Sequence, residues 1–116
     1  MLFILTAAAA AATAQPVQDV AYEELVAGRN QAAIASITAN SNLDADNPAR
    51  LINLGVAYAR DGDMERARQM FSAVAESREV VELETVDGAW VDARELASRA
   101  LAMLDAGEFR TKFASR

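Results

Sequence analysis

The sequence contains neither cysteine nor histidine. The chain therefore has no thiol or imidazole nucleophile, no disulfide, none of the commonest zinc ligands and no histidine general base. It also has no glycine-rich phosphate-binding loop. Its one cluster of carboxylates, between residues 82 and 92, is expected to be a solvated strand face, because catalytic carboxylates need burial or close partners. We predict that the chain is not an enzyme and that it binds no metal or cofactor.

Aromatic residues are also few, with one tryptophan, two tyrosines and four phenylalanines. Alanine is abundant, which favours closely packed helices, and 53% of the 116 residues are hydrophobic, enough for one modest core. The formal net charge of −6 disfavours binding to nucleic acid or to anionic membranes, since both require basic surfaces. A basic or neutral partner is more natural for a chain of this charge.

Residues 1–14 contain no charged side chain. A short apolar run is followed by Ala12-Thr13-Ala14, which matches the small-residue signature of a signal-peptide cleavage site, so that Gln15 would be the first mature residue. The segment is short and no basic residue precedes its apolar run. The alternative is an N-terminal helix that packs on the domain. A membrane span is disfavoured because it needs about 20 apolar residues. We predict a periplasmic or secreted protein with no membrane span in the mature chain.

A self-comparison of the sequence reveals a repeat with an offset of 34 residues. Residues 28–37 align without gaps on residues 62–71, and each segment begins with a glycine. A period of this length is typical of stacked helical repeats. Capping residues and glycines predict one helix pair per copy, at about 19–27 and 30–39 in the first, and at about 48–60 and 64–77 in the second.

The second copy, residues 48–77, resembles the tetratricopeptide repeat (TPR) family. It follows the pattern W-x₂-L-G-x₂-Y…A-x₃-F at every spacing, with leucine in the tryptophan slot. The matching residues are Leu51, Leu54, Gly55, Tyr58, Ala67 and Phe71. The first copy, at about 15–45, is degenerate. The resemblance implies antiparallel helix hairpins in which the small residues Gly55 and Ala67 lie where the two helices cross most closely.

The resemblance also implies a binding surface. TPR proteins bind peptides along the concave surface formed by the first helix of each repeat, which in the second copy would carry Ala49, Ile52, Asn53, Val56 and Arg60. Some members use an asparagine near the position of Asn53 to hold a ligand, although asparagine is also common there without that role. Trp90 is a further candidate because tryptophan is enriched at interfaces, or it covers the last helix instead. The predicted protein-binding residues are Ile52, Asn53, Val56, Arg60 and Trp90.

After residue 77 the pattern changes from helix to strand. Two short runs rich in β-branched residues flank Asp87-Gly88, a strong signal for a two-residue hairpin turn. Such a turn would pair Thr85 with Trp90 and place both on the same face as Leu83. The alternative is one long helix broken at Gly88.

A final helix is predicted after the hairpin. Asp92 and Glu95 form a variant of the capping box that opens an amphipathic segment, and Gly107 ends it. The predicted inner face of this helix consists of Leu96, Ala100, Leu101 and Leu104. It would cap the apolar end of the repeat stack.

Together these features predict a mainly α fold, in which TPR-like stacked antiparallel helix hairpins carry a short β-hairpin insertion before a C-terminal capping helix. The expected organisation is a signal peptide at 1–14, a helical domain at 15–107 with its β-hairpin at about 80–92, and a flexible tail at 108–116. The expected function is that of an exported protein–protein interaction module, an adaptor or scaffold of a bacterial cell envelope. The alternatives are a structural subunit that self-assembles into a homo-oligomer and a non-catalytic accessory domain of a larger complex.

Overall fold

The computed structural model describes residues 5–9, 21–85 and 87–109. These residues form five α-helices and a small antiparallel sheet, in the order β1 (Leu5–Ala9), α1 (Tyr22–Val26), α2 (Asn30–Ala39), α3 (Pro48–Arg60), α4 (Met64–Ala75), β2 (Glu82–Thr85), β3 (Trp90–Asp92) and α5 (Ala93–Asp105). The fold is mainly α, with the β2–β3 hairpin directly before the C-terminal helix, as predicted. Among the described helices, none is both long enough and apolar enough to cross a membrane.

Local capping residues determine where α3 and α4 begin. The side chain of Asn47 accepts a hydrogen bond from the backbone N–H of Arg50 at 3.0 Å, and Pro48 occupies the first helical position, where its missing N–H costs nothing. Asp63 accepts in the same way from the N–H of Arg66 at 3.1 Å. These helix starts are therefore confirmed.

The ends of α1 and α3 share one hydrogen-bonding pattern, 34 residues apart. At Gly28 and at Gly62 the glycine N–H donates to the carbonyl three residues before it, at 3.1 Å. The N–H of the following residue donates to the carbonyl five residues before its own position, at 2.8 Å. This is the Schellman motif, which also ends α5 at Gly107, so the two repeat copies share a helix ending that is used elsewhere in the fold as well.

Helix α3 lies at the centre of the fold. Nine of its thirteen residues are buried, and it contacts α2, α4, α5 and β1. Gly55 allows the close approach of α4, because a Cβ atom there would lie 2.5–3.0 Å from three ring carbons of Phe71. The crossing of α3 and α4 therefore depends on the absence of a side chain at residue 55.

The core continues past the end of α5. Leu96, Ala100 and Leu104 are buried as predicted, and Leu101 of the same predicted face is partly buried. Phe109 is also buried, and its ring stacks on Phe71 with the centroids 5.8 Å apart. This residue belongs to the segment predicted to be a flexible tail, and it is part of the core. The remainder of that predicted tail, 110–116, lies outside the described residues.

The sheet has β2 at its centre, with β3 on one edge and β1 on the other. β1 runs antiparallel to β2, with Leu5 opposite Thr85 and Ala9 opposite Leu83. The four-residue interval from Leu5 to Ala9 thus pairs with a two-residue interval, Leu83 to Thr85, of β2, so β1 is bulged. Its backbone also contacts α3 and α1. Only residues 5–9 of the predicted signal peptide are described, and they form this strand.

The predicted register of the hairpin is wrong by one residue. Glu84 lies opposite Trp90 and Leu83 opposite Val91, and the N–H of Thr85 donates to the carbonyl of Ala89 at 2.9 Å. The connection therefore has three residues rather than two.

The conformation of the turn explains the shift. A two-residue turn of the predicted type needs positive φ at both Asp87 and Gly88. Gly88 has φ +88°, but Ala21 is the sole non-glycine with positive φ in the part of the chain that the structure describes. Gly88 instead donates its N–H to the carbonyl of Thr85 at 2.9 Å, which is typical of a type I turn followed by a bulge. Because side chains alternate along a strand, a shift of one residue moves Trp90 to the face opposite Leu83.

Candidate functional site

The predicted binding residues of α3 share one face, which we call the groove face and define as Ala49, Ile52, Asn53, Val56 and Arg60. At about 100° per residue this face is roughly opposite the face that carries Leu51 and Tyr58. The opposite face packs on α4, where the guanidinium of Arg66 lies 5.7 Å from the centre of the Tyr58 ring. The structure therefore brings the four predicted residues of α3 together on the side away from α4.

The groove face is covered in the full chain. Ala49, Ile52, Asn53 and Val56 are all buried, with at most 1% of their surface exposed. None of these positions is a free surface in this state, which the sequence did not predict. If α3 had a polar, solvent-facing side, as an ordinary amphipathic helix does, two or three of these four residues would be exposed to solvent.

Arg60 connects the groove face to α1. Its guanidinium donates to the backbone carbonyl of Leu25 at 2.8 Å, and partial burial lowers its pKa from the ordinary value. The positive charge lies near the C-terminal end of α1, where carbonyl groups without helical partners favour a cation. β1 also contacts both α1 and α3.

Trp90 is on the outer face of the hairpin, away from the groove face. Trp90 is 47% exposed, so about half of the residue is accessible to a partner. Glu84 is its cross-strand neighbour, and Glu82 lies on the same face two residues before. A large aromatic ring beside two carboxylates is suited to a partner that carries both apolar and basic groups.

The carboxylates at the two ends of the hairpin have structural partners. The hydroxyl of Thr85 donates a short hydrogen bond to Asp87, which is the main reason that the pKa of this carboxyl is lowered. Asp92 pairs with Arg94 at 2.9 Å and accepts from its backbone N–H at 2.8 Å, and these contacts lower the pKa of Asp92. They also raise the pKa of Arg94. Within the described ranges no group of three or more acidic side chains is arranged to hold a metal ion.

A cavity of about 170 Å³ lies at the other end of α3 and was not predicted. Its wall includes Leu51, Val74, Val81, Ala93 and Arg94. These residues come from two helices, a connecting segment and the start of α5, so no local sequence pattern could have revealed it. The only guanidinium in its wall already pairs with Asp92, and the cavity is large enough for one side chain of a partner.

Comparison of the chain with protein-family models, with curated proteins and with solved structures gave no match.

Proposed function

We propose that the chain is an exported, TPR-like protein–protein interaction module of a bacterial cell envelope, and that its groove face binds an extended segment of a partner protein. The observation that carries this proposal is the position of β1. An extended segment of the chain, β1, lies against α3, and the apolar side chains of the groove face are buried. A surface that holds a strand of its own chain has the shape and polarity to hold one from another protein.

Two observations support a TPR-like arrangement of the helices. Gly55 contacts the ring of Phe71 at the crossing of α3 and α4, which is the role that the family pattern gives to this pair. The helix endings at Gly28 and Gly62 have the same hydrogen bonds at the period of the repeat. In this interpretation α5, which packs on both α3 and α4, takes the place of the first helix of a third repeat.

In this proposal the groove face becomes accessible when export removes β1. Cleavage after Ala14 would remove residues 5–9 together with the rest of the apolar leader. The informative measurement is the N-terminal sequence and intact mass of the protein from the envelope fraction of its host. We expect Gln15 as the first residue, and an intact Met1 in that fraction would overturn the export proposal.

The binding proposal is tested by photocrosslinking in the host envelope. A photoreactive residue replaces Glu82, which is exposed on β2, the strand that pairs with β1, and in the matched control it replaces Gln69, which is exposed on α4. We expect one dominant adduct from position 82 that is absent from position 69. Equal adducts from both positions, or none from either, would contradict the proposed surface. An adduct of twice the mass of the chain would favour the self-assembling subunit instead.

A further inference from the structure

The hydrogen-bonding groups of β2 alternate between its two neighbours. Val81 accepts from the N–H of Ala93 at 2.7 Å, and Thr85 donates to Ala89 at 2.9 Å, so the odd-numbered residues of this strand bond toward β3. In an antiparallel ladder the residues between them point their N–H and C=O groups the other way. The peptide groups of Glu82 and Glu84 are therefore directed at β1.

Loss of β1 would leave the N–H and C=O groups on this edge of β2 without strand partners, next to buried apolar side chains. On the inner side of β2, Leu83 is fully buried and Thr85 nearly so. On the helical side, Ile52 and Val56 of the groove face are buried, and α3 is one of the two helices that β1 contacts. An open edge with unpaired N–H and C=O groups is a template for another strand.

We propose that the edge of β2 is a strand-acceptor site, filled by residues 5–9 before cleavage and afterwards by an extended segment of a partner protein that adds antiparallel to β2. This inference rests on the proposed export, which frees the edge. Main-chain hydrogen bonds hold the partner segment against β2, and the side chains that alternate along the added strand determine which partner binds.

The chain's own strand indicates what the partner looks like. Residues 5–9 read LTAAA and carry no charge, and their register sets Leu5 opposite Thr85 and Ala9 opposite Leu83. Partner residues at these two positions are apolar and small to medium in size, because they lie over the buried side of the sheet. The partner residue beside Glu84 lies on the outer face, where a basic side chain is favoured as the cross-strand neighbour of a carboxylate.

A peptide made from the chain itself serves as the probe. Residues 2–11, extended by two lysines at each end for solubility and labelled with fluorescein, are titrated into the processed protein purified from the host envelope, and fluorescence anisotropy reports binding. We expect saturable binding to the processed protein. The uncleaved chain is expected to bind at least about tenfold more weakly, since its own strand competes at an effective concentration in the millimolar range.

Backbone and side-chain contributions are separated by a pair of variants at one residue. Glu84→Pro removes the N–H that faces β1 while leaving the bonds of β2 to β3 in place, and Glu84→Ala keeps the N–H. We expect a loss of about tenfold in affinity for the proline variant, because the partner carbonyl is left unpaired, and a loss of at most about threefold for the alanine variant. Circular dichroism checks that both variants are folded.

Peptide variants provide a test that needs no change in the protein. A peptide with proline at residues 6, 7 and 8 has no N–H to donate to β2 between Leu5 and Ala9 and should not bind. The matched peptide with Thr6→Ala keeps these N–H groups and should bind within about twofold of the unsubstituted peptide. Binding of the proline peptide as tight as that of the alanine peptide would overturn the proposed main-chain pairing.

The possible failures are distinguishable. If the protein from the envelope still begins at Met1, the export proposal fails, and with it the exchange of strands. If the protein begins at Gln15 but the peptide does not bind, or binds Glu84→Pro as tightly as the unsubstituted chain, the acceptor site alone is refuted. A third outcome is that the processed protein forms a dimer, that the dimer does not bind the peptide, and that Glu84→Pro dissociates it. In that case a second copy of the chain occupies the site, and the proposed choice of partner is overturned.

Discussion

Replacement of Gly55 by alanine tests whether the α3–α4 crossing is as close as the structure indicates. In an uncrowded helix this change stabilises by about 1 kcal/mol, because glycine is the poorer helix former. Here the added Cβ would lie 2.5, 2.8 and 3.0 Å from ring carbons of Phe71. Phe71 is fully buried and backed by the stacked ring of Phe109, so it has little room to retreat. Overpacking of this kind costs about 1–3 kcal/mol.

The crowding outweighs the gain in helix propensity, and we expect Gly55→Ala to destabilise by about 1–2 kcal/mol. Each kcal/mol lowers the melting temperature of a domain of this size by about 4–8 °C, which thermal unfolding by circular dichroism resolves easily. A double-mutant cycle with Phe71→Leu isolates the contact. The smaller side chain relieves the clash, so the double variant should be more stable than the sum of the single effects predicts, by about 1 kcal/mol or more. A Gly55→Ala variant with a raised melting temperature, or additive single effects, would refute the close crossing.

Three further changes test the helix ends and the hairpin by thermal or urea unfolding. Asn47→Ala removes the cap of α3 and should cost about 1 kcal/mol, whereas Asn47→Ser should cost only a few tenths; equal effects would contradict the cap. Arg60→Met keeps the apolar stem but loses the bond to α1, which should cost about 1.5 kcal/mol, and the matched change Arg68→Met in an exposed ion pair should cost about 0.5 kcal/mol or less. The pKa of Asp92 is lowered chiefly by Arg94, so its contribution is fully present above the ordinary carboxyl pKa of about 3.9 and is lost as the pH falls through the lower folded-state value. Asp92→Asn removes this charge but retains a capping side chain. The difference in unfolding free energy between the unsubstituted chain and this variant should therefore be constant from about pH 7 to pH 4 and should shrink at lower pH. A difference that stays constant down to about pH 2 would contradict the ion pair.

The features that the sequence predicts well are those set by near neighbours. The starts of α3 and α4 depend on Asn47 and Asp63, each of which bonds to a backbone N–H three residues away. The hairpin also follows from local composition, but its register does not. An Asp-Gly pair suits both a two-residue turn, in which Asp87 and Gly88 have positive φ, and a three-residue turn, in which Gly88 but not Asp87 does. Nothing in residues 80–92 distinguishes the two.

Features that depend on distant pairing were not predictable from the sequence. Residues 5–9 pair with a strand more than seventy positions away, and their composition, LTAAA, has little of the β-branched content that marks a strand. The burial of Ile52 and Val56 was missed for the same reason, because a pattern shows which residues share a face but not what covers it. Phe109 was assigned to a tail because Gly107 is a helix-ending signal, and such a signal does not say where the core ends.

The burial of the groove face has a consequence for the stability of the processed protein. Full burial of a side chain such as Ile52 or Val56 contributes about 1.5–3 kcal/mol, and the total stability of a small domain is only about 5–15 kcal/mol. A chain that loses β1 exposes part of this surface and two peptide groups of β2, so it should unfold at a lower temperature than the uncleaved chain. A ligand that covers the same surface restores the difference, and its effect grows with concentration, by about 2.7 kcal/mol at a hundred times its Kd. Thermal unfolding of the processed protein with increasing amounts of the residue 2–11 peptide measures this directly. Equal melting temperatures for the cleaved and uncleaved chains, with no response to the peptide, would show that β1 contributes nothing to the fold and that the groove face is buried by other parts of the protein.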